Sequence, residues 1–374
     1  MQDPVRLSAS SKLRDGAPGP TADELRDAER FAREILPSAS RTFAISIRVL
    51  PGVLGRAVLA SYLICRIADT IEDERTMEPA EKVARLDELL ACFDGAERVE
   101  QFVAGLPVLT GNQDHIRLVR ESGRVFVLFR SLPPRTRAHV RRWVTEMVVG
   151  MQRIVLRHPD GIRIQTLEEF REYCYYVAGT VGYLLTDLWH EHSAGIDAPR
   201  YESLRRRAQA FGQALQTVNI LKDVAQDAAD ENSVYIPEEA LRRYGSAQAH
   251  ILSPEFVRQN HAAVKEMIEL AWRDLDEARA YLLDLPRRAV PVRLFCVFPL
   301  LFAYATLREL TRTTAMLAPG GSPRITRGEV KRLLAGGTLL IMSNRGLRWL
   351  AERAGGGGMG GYSPSALAAG GSTE

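Results

Sequence analysis

The sequence predicts an all-α protein on three observations. Nearly every segment carries helical periodicity, no run alternates as a strand does, and no Asn-Gly hairpin turn occurs. With 374 residues, 46% of them hydrophobic, the chain has ample material for a core. We expect a disordered leader over residues 1–21, a single catalytic helical domain over 22–350 and a flexible glycine-rich tail over 351–374. Met1 to Pro20 mixes Ser, Gly, Pro and charge without an apolar core, so it is neither a secretory signal nor a membrane anchor. Thr21-Ala-Asp-Glu24 opens the first helix as a capping box, and Thr166-Leu-Glu-Glu169 opens a later one the same way. Pro37, Pro51, Pro133-Pro134, Pro159, Pro237 and Pro254 punctuate between helical segments.

The first helix with chemical content holds Asp69-Thr-Ile-Glu72-Asp73. Tyr62, Arg66, Asp69 and Asp73 fall at i, i+4, i+7 and i+11, with Glu72 beside them, while Leu63, Ile64, Ile67, Ala68 and Ile71 cover the rest. Next comes Phe170 to Leu185, an apolar helix with Gly179 and Gly182 inside it. Each glycine costs about 1 kcal/mol relative to alanine there, which points to close packing, a local break or room for a ligand. Tyr173, Tyr176, Thr180 and Tyr183 follow one side of it. A third helix carries the polar stripe Gln216, Asn219, Asp223 and Asp227 among Phe211, Leu215, Val218, Ile220 and Val224. Leu294 to Leu307 is the most apolar stretch, shorter than the roughly 20 residues that span a bilayer, and reads as a core helix. From Gly320 to Arg332 the chain reads as a mobile basic loop able to close over an anion.

Carboxylates at i, i+4 repel by only about 0.2–0.5 kcal/mol on an exposed helix, so clustering alone demands no metal. Here both helices are apolar nearly all round, so their stripes should line a cavity, and buried carboxylates need partners. A carboxylate and a phosphate oxygen about 4 Å apart repel by roughly 4 kcal/mol at an effective dielectric near 20. Divalent cations invert that sign. All-oxygen ligands with room for water favour Mg²⁺, with Mn²⁺ as a substitute, and Arg66 and Arg41 then grip the outer phosphate oxygens.

Other classes are disfavoured. A net charge of +3 with scattered arginines argues against nucleic acid as a partner. Cys65, Cys92, Cys174 and Cys296 form no C-x-x-C and read as reduced core thiols of a cytoplasmic protein. His190 and His192 diverge on a helix and make a poor metal pair. The glycines near residue 355 follow no strand and are no dinucleotide fingerprint.

Several blocks together resemble the squalene and phytoene synthase family, its squalene synthases above all. They are Ser40-Arg41-Thr-Phe43-Ala, Tyr62 to Asp73, Tyr173-Cys-Tyr-Tyr176-Val-Ala-Gly-Thr-Val-Gly182, Gln216 to Asp227, Tyr235-Ile-Pro-Glu238 and Phe295-Cys296-Val-Phe-Pro299, in family order over about residues 30–345. The resemblance implies an isoprenoid-synthase helical bundle around a central cavity, Mg²⁺, and head-to-head condensation of two farnesyl diphosphates to presqualene diphosphate. Squalene synthases then reduce that product with NADPH, whereas dehydrosqualene and phytoene synthases omit the hydride.

By the same resemblance, Asp69, Glu72, Asp73, Asp223 and Asp227 match metal ligands, with Asn219 a ligand or orienting group. Ser40, Arg41 and Arg66 match diphosphate contacts, and Gln216 lies on the same polar stripe. Tyr176 matches a tyrosine acting as acid/base, with Tyr62 and Phe43 lining that region, and Phe295 and Cys296 match pocket positions of the second half-reaction. Arg327-Gly-Glu-Val-Lys331-Arg332 resembles an NADPH-associated loop, although Arg332-Leu333 departs from its pattern. The segment beyond residue 351 does not resemble the membrane helix of eukaryotic squalene synthases, so we expect a monomer without a transmembrane anchor that touches membrane surfaces transiently.

Overall fold

Thr21 starts the first helix, Ala22–Ala39, with both halves of the capping box: its Oγ1 accepts from Glu24 N at 3.3 Å, and Glu24 Oε2 accepts from Thr21 N at 2.7 Å. The computed structural model describes residues 19–356. Within those residues there is no strand, only an isolated parallel bridge between Arg163 and Val234. Pro37 lies inside the first helix and does not end it. In the final turn a proline interrupts little of the backbone ladder, and Ile35, Leu36 and Ala39 anchor that turn in the core. At Thr166 half of the expected box forms. Its Oγ1 accepts from Glu169 N at 3.1 Å, but Glu169 Oε2 accepts from Gln165 N, and its Oε1 pairs with His158 at 2.9 Å.

Two long helices organise the rest. Gly52–Glu72 is buried along Ala57, Leu63, Ile64, Ile67, Ala68 and Ile71. Ala198–Asp230 has 33 residues, about 50 Å at 1.5 Å per residue, and packs against Val257–Asp284 and Thr180–His192. Its C-terminal end is clamped by short backbone pairing: Val234 N donates to Ile162 O at 2.8 Å and Glu238 N to Ile164 O at 3.0 Å. Gly161 (φ 101°) sits under this clamp, where a Cβ would lie 2.1 Å from Asn232 O.

The two glycines of the 170–185 helix answer to different causes. Leu167–Cys174 is followed by a π-helical turn, Tyr175–Gly179, before Thr180–His192 resumes α-geometry, so Gly179 closes a local break. Gly182 is close packing, because a Cβ there would lie 1.9 Å from Ala208 O. The facing Gly212 would meet Ala178 O at 2.0 Å. Backbone atoms cannot swing aside as a flexible side chain does. Gly182→Ala is therefore expected to destabilise the fold by about 1–3 kcal/mol, read as a lower urea midpoint at unchanged m-value.

The apolar stretch at 294–307 is part of a longer helix, Val290–Leu310. At 21 residues it reaches spanning length, yet most of it is buried in the bundle as a core helix. The expected basic loop holds only as far as Thr326. Arg327–Leu339 is helical, because Thr326 Oγ1 accepts from Glu329 N at 3.2 Å, Leu333 is buried and Gly337 lies against Leu301 and Phe298. A short turn leads to a last helix, Asn344–Ala354, which runs past the boundary at 350 that the glycines suggested. Residues 1–18 of the leader and 357–374 of the tail lie outside the described residues.

Candidate active site

A cavity of about 340 Å³, as swept by the centre of a water-sized sphere, opens among Arg41–Arg48, Gly52–Glu72, Thr180–His192, Ala198–Asp230 and Val290–Leu310. Its walls are apolar, with Val58, Leu184, Leu185 and Phe302 among them, and its polar rim carries Ser40, Arg66, Asp69, Gln216, Asn219 and Lys222. Aromatic rings run along one wall: Phe43 lies 5.6 Å from Tyr62 and 6.3 Å from Phe295, centroid to centroid. Ser40 caps the short Arg41–Arg48 helix, its Oγ accepting from Phe43 N at 3.1 Å.

The carboxylates are divided. Asp69 faces this cavity, with Arg66 Nη1 3.5 Å from its Oδ2. Glu72 and Asp73 face a second cavity of about 360 Å³, together with Lys82, His158 and Glu231, and neither cavity is lined by Asp223 or Asp227. Asp223 is held from two sides, by Lys222 Nζ at 2.9 Å and by Ser322 Oγ at 2.9 Å. The 320–326 loop thus already lies over the second acidic stripe.

The two acidic stripes still act on each other. Burial, then the charges of Asp223 and Asp73, push Asp227 up to about 8. Burial, then Asp227, Asp230, Asp69 and Asp223, push Glu231 up to about 7. Asp73 is raised well above the usual carboxylate range by burial, then by Glu231 and Asp69, and Glu72 likewise by burial, then Asp73 and Asp69. Carboxylates from residues 69–73 and 223–231 are therefore within Coulombic reach of one another, around a recess in which Asp73 stays exposed.

That repulsion asks for cations. Among the described residues no three side chains form a ready-made metal cage. Mg²⁺ does not require one, since it usually keeps several waters and takes one or two carboxylates together with substrate phosphates. Glu72 Oε1 is buried without a hydrogen-bond partner, an orphan acceptor that a hydrated cation would satisfy. The all-oxygen donor set, with room left for water, fits Mg²⁺.

Of the residues singled out from sequence, Ser40, Phe43, Tyr62, Arg66, Asp69, Gln216, Asn219 and Phe295 gather at the first cavity. The Arg41 side chain lies outside the described residues. Cys296 does not line the cavity: it is fully buried behind Phe295, and burial pushes its thiol pKa up. Tyr176 does not line it either. Its ring packs over Gly150, where a Cβ would lie 2.0 Å from Cγ, and its hydroxyl accepts from Arg153 Nη1 at 2.9 Å. Arg327 and Lys331 are exposed on their helix and do not line the cavity. His190 and His192 diverge as expected, His190 Nδ1 to Ile196 O at 2.7 Å and His192 to Thr136 Oγ1 at 3.1 Å.

Three charged residues escaped the sequence reading. Glu231 had a signal, for it is the next i+4 step after Asn219, Asp223 and Asp227. Lys222 had a weaker one as the neighbour of Asp223; its Nζ also donates to Asn219 Oδ1 at 3.0 Å. Lys82 had none. It comes from a separate helix, Pro79–Ala91, donates to Glu72 O, and meets the charges of Asp73 and Glu72 only through the fold.

Known proteins share this fold and family. The model of the squalene/phytoene synthase family matches residues 36–329. The squalene synthase of Schizosaccharomyces pombe is 28% identical over 313 residues, covering 82% of this chain and 65% of that protein, so the chain spans about two thirds of that relative's length. The Homo sapiens squalene synthase is 24% identical over 316 residues, 84% of this chain and 71% of that one. A solved structure of TcSQS with the ligand BPH1237 superposes with a TM-score of 0.73 at 22% identity, covering 90% of this chain and 98% of that one. A dehydrosqualene synthase complex does so at 0.57 and 21% identity, covering 84% and 96%. The bundle is thus the isoprenoid-synthase helical fold, and with a family match spanning both acidic stripes and the cavity between them, the chain belongs to the squalene/phytoene synthase family.

Proposed function

We propose that the protein is a farnesyl-diphosphate farnesyltransferase that condenses two farnesyl diphosphates head to head to presqualene diphosphate and reduces that product to squalene with NADPH. The observation that carries this reading is an apolar-walled cavity that suits prenyl chains and whose rim presents Arg66, Lys222 and Asn219 beside Asp69. Arg66 and Lys222 donate to phosphate oxygens, and Ser40 and Gln216 add neutral contacts. Mg²⁺ bound by Asp69, Glu72 and Asp73 on one side and Asp223, Asp227 and Asn219 on the other, with Glu231 beside them, would neutralise the departing diphosphate. The rings of Phe43, Tyr62 and Phe295 offer π faces to cationic carbon, while the apolar walls keep water from quenching it. We take the catalytic unit as running from residue 22 through the last helix to Ala354, acting as a monomer.

Tyr176 is the proposed proton-transfer group, and that role requires its hydroxyl to leave Arg153 and turn inward when substrate binds. Tyr176→Phe is expected to slow the first half-reaction by about 10²–10⁴-fold, with Tyr173→Phe as the comparison. An unchanged rate of diphosphate release in Tyr176→Phe would assign the proton to another group.

A second reading is dehydrosqualene or phytoene synthesis, the same condensation without hydride transfer. Its support is that Arg327 and Lys331, the proposed NADPH contacts, do not line the cavity. Mass spectrometry of products from farnesyl diphosphate and Mg²⁺, with NADPH present or withheld, separates the two. Squalene only with NADPH supports the first reading, dehydrosqualene under both conditions the second, and no diphosphate release refutes both.

A further inference from the structure

Apart from Arg327 and Lys331, the proposed NADPH contacts, the last two helices carry a surface that the active site does not use. Among the described residues, three of the seven exposed large apolar side chains fall within 339–349: Leu339 is 84% exposed, Met342 49% and Trp349 54%. Leu339 and Met342 flank the turn between Arg327–Leu339 and Asn344–Ala354, and Trp349 lies on the outer face of the second helix, opposite the buried Leu347, Leu350 and Ala351. The two helices pack together, a Cβ on Gly336 lying 3.1 Å from Leu350 Cδ2, so their outer stripes belong to one hairpin.

Charge identifies what this hairpin fits. Its basic residues are Arg327, Lys331, Arg332, Arg345, Arg348 and Arg353, all exposed, against two acidic ones. Of those two, Glu329 is already paired with Arg308 at 2.8 Å, which leaves Glu352. Arg345, Trp349 and Arg353 follow one another at i, i+4 and i+8, with Arg353 stacked 5.6 Å from the Trp349 ring. Exposed Leu, Met and Trp ringed by arginine are what an anionic lipid interface rewards: apolar tips enter the acyl boundary, indole sits at headgroup depth and guanidinium meets phosphate. An acidic protein partner would match the charge but not an apolar tip at a helical turn.

We propose that the 327–354 hairpin docks the protein on the surface of an anionic phospholipid bilayer, without spanning it. Trp349 is also its reporter, because Trp143, Trp189 and Trp272 are buried. The full chain should sediment with phosphatidylcholine vesicles containing a quarter phosphatidylglycerol at least about tenfold more strongly than with phosphatidylcholine alone, and less so at high salt. Brominated lipid in those vesicles should quench its fluorescence, and Trp349→Phe should abolish the quenching. Combined Leu339→Ser, Met342→Ser and Trp349→Ser should abolish binding, as should Arg345→Glu with Arg348→Glu, each at unchanged melting temperature and diphosphate release.

Equal sedimentation with both vesicle types, or full binding by the apolar variant, would overturn the proposal. So would lipid-free self-association that the apolar variant abolishes, which would make the occupant a second copy of the chain. Vesicle binding seen only after residues 357–374 are removed would likewise overturn it, making that segment the occupant.

Discussion

Replacing Asp73 or Asp227 by asparagine is expected to cut turnover by about 10³-fold while leaving the fold intact and, without metal, more stable than the parent protein. The loss follows because each carboxylate helps to hold the cations that offset diphosphate charge. The gain follows because both carboxylates are raised by desolvation and by neighbouring carboxylates, Asp73 by Glu231 and Asp69, and Asp227 by Asp223 and Asp73. Asparagine keeps the shape and removes the repulsion.

The pH dependence has a definite sign. Asp227 is raised from 3.8 to about 8, so the stability tied to its protonated form is full below pH 4 and is lost as pH rises toward 8. Metal-free protein should therefore melt at progressively lower temperature across that window. Mg²⁺ should restore the loss at pH 8 in the parent protein and much less in Asp227→Asn, because only the parent gains from ligand binding. Thermal melts of the two proteins with chelator or Mg²⁺, beside steady-state diphosphate release, check all three statements. Wild-type turnover in either variant at saturating Mg²⁺ would remove the carboxylates from the mechanism.

Arg293→Met should be the most damaging single change to stability, about 3–5 kcal/mol. Arg293 is fully buried, and what receives its charge is mostly backbone. Its Nε donates to Ile341 O at 2.9 Å, Nη1 to Leu285 O at 2.7 Å, and Nη2 to Asn344 Oδ1 at 2.8 Å. One guanidinium thereby satisfies the chain just past Val257–Asp284, the turn after Arg327–Leu339 and the start of the last helix. Methionine fills the volume but takes the donor away from the Ile341, Leu285 and Leu282 carbonyls and from Asn344 Oδ1. Lysine restores the charge without the fork and should recover only part of the loss. Urea unfolding measures the size of the effect. Limited proteolysis should show cleavage appearing first at residues 340–343, and a variant as stable and as resistant as the parent would show that the hairpin is held by other contacts.

Much of this site was legible in the chain because it obeys local rules. Helical spacing put Tyr62, Arg66 and Asp69 on one face and Gln216, Asn219, Asp223 and Asp227 on another, and apolar neighbours marked both helices as core helices, although the polar faces themselves are half-buried and Asn219 is exposed. Glu231 obeyed the same spacing and was within reach of the same argument. Lys82 was not, because its partnership with the Asp73 carboxylate depends on how two helices are placed in space.

Tyr176 and Cys296 mark the other limit. Helical spacing grouped Tyr176 with Tyr173 and Tyr183, but an inserted π-turn breaks that spacing between residues 175 and 179 and sends its hydroxyl toward Arg153. Periodicity assumes an unbroken helix. Cys296 follows a cavity-lining phenylalanine, and adjacent helical residues point about 100° apart, so the neighbour of a lining residue falls into the core.

By itself, then, the sequence determined that this protein is helical, that two acidic stripes run along otherwise apolar helices and which residues compose them, since helix period is written in local order; the stripes themselves come out half-buried, with Asp73 and Asn219 exposed. Only the tertiary structure decided that Asp69 faces one cavity while Glu72 and Asp73 face another, and that Lys82, Ser322 and Arg293 hold segments far apart in sequence. Those facts depend on distances between helices, which are set by packing such as Gly182 against Ala208 and have no signature within any one segment.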